Sequence, residues 1–124
     1  MREAITKQFK VKNTSNGNII LANCAATESA LERMVGLLGR KSISTDEGLW
    51  IESCNSIHTF FMRFPIDAIF LDANGRILKI YHELKPWRMS WIHFRAHSVL
   101  ELASGQSNQL HLQVGEVLQP CSTS

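Results

Sequence analysis

Four side chains able to do chemistry, His58, Arg63, Asp67 and Asp72, fall inside a largely apolar run: Ile57-His58-Thr59-Phe60-Phe61-Met62-Arg63-Phe64-Pro65-Ile66-Asp67-Ala68-Ile69-Phe70-Leu71-Asp72. A charged group among apolar neighbours is costly to bury unless it is paired, so a site is expected here. A carboxylate beside an imidazole raises its basicity and fixes its tautomer, which would make His58 and Asp67 a general acid–base pair of a hydrolase or lyase. The Arg63 guanidinium offers a fork of donors suited to a carboxylate or phosphate. The same residues also admit an architectural reading. Asp67 would then accept backbone N–H bonds at a corner built on Arg63-Phe64-Pro65, with Arg63 as its partner. The residue types alone leave both readings open.

Other constellations carry less. Cys54 and His58 have the types of a nucleophile and its base, but no orienting residue is marked and no cysteine-hydrolase signature surrounds them. Five histidines and three cysteines form no pattern of paired metal ligands, so no metal is expected. The segment Lys85-Pro86-Trp87-Arg88-Met89-Ser90-Trp91-Ile92-His93-Phe94-Arg95 alternates aromatic and basic residues. Trp and Arg together favour binding surfaces, and Trp87, Arg88 and Trp91 join Arg63 as candidate ligand-binding residues. The competing reading folds the Trp rings back onto the core. Glu101, between Leu100 and Leu102, is expected to face water by strand alternation.

These residues need a frame. Residues 4–12 and 19–22 suggest a hairpin about the turn-rich Asn13–Asn18 stretch. Thr27 as N-cap and the spacing of Ala30, Leu31, Met34, Val35, Leu37 and Leu38 predict the principal helix, over about 28–38. Residues 48–51 suggest a strand. The runs 57–61 and 66–71 suggest neighbouring strands around the Pro65 corner. Asp72-Ala73-Asn74-Gly75 suggests a tight turn between 66–71 and 76–84. Residues 98–102 suggest another strand, 104–112 hold a possible short helix, and a final short strand ends near 118. The fold expected is α+β, mainly antiparallel β, as a compact, partly closed barrel-like sheet. One domain spans 1–118, followed by a flexible tail at 119–124.

Composition sets the outer bounds. The chain has 124 residues, 44% hydrophobic and 19% charged, a globular composition for one domain. Its net charge of +2 argues against nucleic-acid binding. No apolar run approaches the roughly 20 residues that cross a bilayer. The first residues lack a secretory h-region and the cysteines are odd in number and scattered, so a cytoplasmic setting is expected.

The order and spacing of Met34-Val35-Gly36-Leu37-Leu38-Gly39-Arg40, Glu47-Gly48-Leu49-Trp50, the Ile57–Asp72 run, Gly75, Ser98-Val99-Leu100-Glu101-Leu102, Gly105 and Leu112-Gln113-Val114-Gly115-Glu116 resemble the uncharacterised prokaryotic family called domain of unknown function 192. The resemblance covers about residues 20–118. It implies a compact α+β domain rich in β-structure and brings no activity with it. The function expected is therefore a small non-catalytic binding module for a small anionic ligand or a protein segment, without a cofactor. An enzyme using His58 and Asp67, and a purely architectural interaction domain, are the alternatives.

Overall fold

The computed structural model describes residues 7–27 and 42–121. Seven strands form one sheet: β1 (Lys7–Asn13), β2 (Asn18–Thr27), β3 (Glu47–Glu52), β4 (Ile66–Leu71), β5 (Ile77–Leu84), β6 (Ser98–Ala103) and β7 (Leu118–Cys121). A single helical turn, α1 (Gln106–Gln109), follows β6. The strand order is β5-β4-β6-β3-β2-β1-β7. β2 and β3 pair in parallel, and every other pair is antiparallel. The expected α+β architecture, mainly β, is the observed one. The helix predicted over 28–38 lies outside the described residues.

Local turn chemistry explains the hairpins. Asn13 Oδ1 accepts the Ser15 N–H, Asn16 Oδ1 accepts the Asn18 N–H, and Gly17 takes a positive φ between β1 and β2. Between β4 and β5, Asp72 Oδ1 accepts the N–H groups of Asn74 and Arg76, both at 2.9 Å. The Arg76 N–H bond is the main reason that the Asp72 carboxyl titrates below its usual range.

The sheet does not close into a barrel. Its edge strands β5 and β7 are tied only at one end, through an isolated bridge between Arg76 and Val117. There Leu118 donates its N–H to the Gly75 carbonyl and Ile77 to that of Glu116, both at 2.8 Å. A flexible tail is expected over 119–124, but its first described residues are ordered. Gln119, Pro120 and Cys121 are strand residues opposite Lys12, Val11 and Lys10. A proline is tolerated there because β7 is an edge strand.

Both faces of the central strands are covered. β4 and β6 are buried at every position. Ile69, Leu71, Leu100 and Leu102 point into one apolar cluster with Trp50 and Leu21. Ala68, Phe70 and Val99 point into a second, which Ile57, Met62 and Phe64 complete. This double burial overturns the expectation that Glu101 faces water. β6 runs between β4 and β3, and Glu101 is fully buried on the second face. Cys24 lies within the first cluster, where burial pushes its thiol up to about 12.

Candidate functional site

The expectation that 57–61 runs beside 66–71 fails for a simple reason. Both edges of β4 are already taken, by β5 and β6. Residues 55–59 lie instead over the second face of the sheet and pair with 88–93. Ile57 and Ser90 exchange backbone contact through the Ser90 N–H to the Ile57 carbonyl at 2.9 Å, while the Ile57 N–H donates to Ser90 Oγ at 3.0 Å. His58 bridges Met89. The Thr59 N–H donates to the Arg88 carbonyl at 2.8 Å, and His93 N–H to the Asn55 carbonyl at 2.9 Å. The central motif and the aromatic loop, separate in sequence, form one two-stranded ribbon.

Thr59 is the pin of that ribbon. It is fully buried. Its hydroxyl donates to the Lys85 carbonyl at 2.6 Å and accepts the Arg88 N–H at 2.9 Å. Its own carbonyl accepts the N–H groups of Trp87 and Met62. Alternation then sorts the ribbon's faces. Ile57, Thr59 and Ser90 point inward and are buried, whereas Met89 and Trp91 point outward and are exposed.

At one end of the ribbon stands a line of rings. His58 stacks on Phe60 with centroids 4.7 Å apart, and Phe60 lies 6.0 Å from Trp87. Phe61 and Trp87 meet at 4.7 Å. These two are also the bulkiest residues with positive φ, at 67° and 63°. Large side chains rarely adopt that conformation. Phe61 is nevertheless 58% exposed and Trp87 56% exposed. The far end of the loop is fixed by Tyr81, which accepts the Trp91 N–H at 3.2 Å and meets His93 Nε2 at 2.8 Å. Burial, then the charge of Lys79, hold the His93 pKa below its ordinary value. The His93 ring packs on Phe70 of the second core at 4.6 Å.

Asp67 sits elsewhere, fully buried on the first face. Oδ1 accepts the N–H groups of Glu83 at 2.8 Å and Gly105 at 3.0 Å. Oδ2 accepts the Ser107 N–H at 2.8 Å and the Ser107 hydroxyl. Four donors fill the four acceptor positions of a carboxylate. Because the Ser107 proton is committed to Asp67, the 2.9 Å contact between Ser107 Oγ and His82 Nδ1 has the imidazole as donor. Opposite Asp67 the β4–β5 register slips, Ile66 facing Leu84 but Ala68 facing Tyr81. Glu83, at φ 53°, occupies this bulge. The carboxylate thus sets the direction in which β5 leaves the sheet for the Lys85–Arg95 loop.

Asp67 therefore does not cap the Pro65 corner, and no hydrogen bond or ion pair joins it to His58 or Arg63. The Arg63 side chain is exposed. Trp87, Arg88 and Trp91 are exposed as well, with the Arg88 guanidinium curled over the carbonyls of Pro86 and Trp87. Thr59, Ser90, Tyr81, Ser107 and His82 escaped the sequence reading. The hydroxyls of Thr59 and Ser90 inside apolar or aromatic runs were the available signal. Among the described residues no three His, Cys, Asp or Glu side chains stand close enough to share a metal ion, and no helix is long and apolar enough to cross a membrane.

Comparison with known proteins agrees with this architecture. Over 110 residues the chain is 29% identical to a UPF0127 protein of Pyrococcus furiosus, covering 86% of this chain and 94% of that protein. A second UPF0127 protein, from Pyrococcus horikoshii, is 38% identical over 64 residues, 52% of this chain and 55% of that protein. Thus the chain spans about half the length of that relative. Two crystal structures share the fold. One is a Sinorhizobium meliloti protein provisionally described as a transcription regulator, with TM-score 0.78, 21% identity and coverage of 97% and 98% of the two chains. The other is a protein of unknown function from Novosphingobium aromaticivorans, with TM-score 0.74, 19% identity and coverage of 90% and 83%. At such identities the likeness concerns the fold alone. The profile of the family described as "Uncharacterized ACR", domain of unknown function 192, matches residues 11–120, and the chain belongs to that family.

Proposed function

We propose that this domain is a non-catalytic binding module, working in the cytoplasm, whose surface is the outer face of the ribbon and whose partner is anionic. The observation that carries this reading is the Phe61–Trp87 pair. Two bulky residues are held at positive φ, in contact, with more than half of each ring in water. Backbone strain of this kind costs on the order of 1–3 kcal/mol per residue and gathers at ligand clamps. Arg63, Arg88 and Trp91 complete the candidate contact set. Asp67, with four donors around it, supports the non-catalytic reading, since its carboxylate serves the bulge at Glu83 and the turn at Gly105.

The test is amide-resolved NMR of the chain titrated with inorganic phosphate and with a panel of short acidic peptides containing aromatic residues. The expected result is a saturable shift confined to residues 57–63 and 85–95, weakened by Arg63→Ala and by Trp87→Ala. The reading is overturned if no probe perturbs those residues, or if both variants leave every response unchanged.

A further inference from the structure

We infer that the ribbon docks on the surface of an anionic phospholipid bilayer, with Trp91 and Phe94 entering the interfacial layer. This rests on the binding reading above and names its partner. Residues 53–66 and 85–97 contain Arg63, Lys85, Arg88 and Arg95 and not one Asp or Glu, in a chain whose net charge is only +2. Arg95 also acts on Asp72, whose pKa it helps to lower, and the exposed Glu52 and Glu83 border the two segments in sequence. The two segments themselves carry a net positive charge, and their complement is anionic. The same charge argues against a second copy of this chain as the occupant, because two such faces repel.

Shape selects the bilayer among anionic partners. Trp91 is 81% exposed and Phe94 87% exposed. Side chains that bare project from the surface instead of lining a groove. A folded partner would need a cavity made for each ring, whereas lipid headgroups and upper acyl chains mould around a protrusion. Trp rings favour that interfacial depth, and each basic residue beside an anionic leaflet strengthens attachment. The ribbon presents them rigidly. Thr59 and Ser90 tie its inner face down, and Tyr81 holds the backbone of Trp91. Met89 and Ile92, both exposed, flank the two insertion residues.

The experiment uses vesicle flotation and tryptophan emission with phosphatidylcholine vesicles, with and without phosphatidylglycerol. Trp50 is buried in the core, so a change in emission reports Trp87 and Trp91. Expected are co-flotation with the phosphatidylglycerol vesicles only and a blue shift on binding. Arg88→Glu should weaken partitioning roughly fivefold or more, and the double variant Trp91→Ser/Phe94→Ser at least roughly tenfold. Both sites are exposed, and an unchanged unfolding curve shows that the fold is retained. Absence of co-flotation, or partitioning indifferent to both variants, overturns the inference. A short-chain, water-soluble phosphatidylglycerol that saturates the ribbon without any vesicle binding also overturns it, in favour of a free headgroup ligand. If vesicles fail but an acidic peptide perturbs residues 85–95, the lipid partner is wrong and the binding surface stands. If both fail, both are wrong.

Discussion

Thr59 and Lys85, 26 positions apart, are joined by the shortest hydrogen bond of the ribbon, 2.6 Å from hydroxyl to carbonyl. Through it the family motif and the aromatic loop become one object. Where Trp87 and Arg88 stand at the surface depends on a residue that is itself fully buried.

Thr59→Val keeps the shape of the side chain and removes its hydroxyl. The Lys85 carbonyl and the Arg88 N–H then lose a partner beneath the ribbon. A destabilisation of about 1–3 kcal/mol is expected from two polar groups left without their bond, read from the shift of a denaturant midpoint. Amide exchange should rise at residues 85–91 before it rises in β4 or β6.

Asp67→Asn is nearly isosteric but turns two of four acceptor positions into donors. The N–H groups of Glu83 and Gly105 converge on Oδ1 and the N–H and hydroxyl of Ser107 on Oδ2, so whichever oxygen becomes the amide nitrogen, donors face donors. A loss of about 3 kcal/mol or more is expected, with altered Trp87 and Trp91 emission because the bulge at Glu83 relaxes. Unchanged stability would refute the role given to this carboxylate.

Phe61→Asn puts a residue tolerant of positive φ where a bulky ring is strained. The variant is expected to gain about 0.5–1 kcal/mol in denaturant unfolding while binding at the ribbon weakens. A stability gain coupled to a binding loss would mark Phe61 as a site where conformation serves recognition.

Acidification should loosen the far end of the loop. The His93 pKa lies below its ordinary 6.5, first through burial and then through Lys79. Between the folded pKa and 6.5 the unfolded chain binds the extra proton, so stability rises with pH in that window. The contribution is complete above 6.5 and lost as pH falls through the folded value. Denaturant midpoints measured from about pH 7.5 down to about pH 5 should fall in the wild type and fall less in His93→Gln.

The legible part of this fold was the part with local causes. Asn13 to Asn18 and Asp72 to Gly75 announced their hairpins because the turn residues bond their own neighbours. Strands β3 and β6 were readable as short apolar runs. The segment 57–61 misled because an apolar, aromatic stretch looks the same whether it pairs in a sheet or lies across one; only the occupied edges of β4 decide. Glu101 misled because alternation presumes a wet face, which a doubly covered strand lacks. Asp67 was visible as a buried carboxylate in need of donors, but its partners at Glu83, Gly105 and Ser107 are distant in sequence. Of the candidate binding residues, Arg63, Trp87, Arg88 and Trp91 were readable from type alone, and the ribbon that joins their segments was not.

The bonds that Asp67 accepts reach across 16, 38 and 40 positions. Contacts of such separation form late, because long loops must close first. A ribosome must therefore release Ser107 before the β5 bulge can be fixed and the aromatic loop can take its final direction. During synthesis Trp87, Trp91 and Phe94 therefore emerge before the residues that fix the direction of their loop.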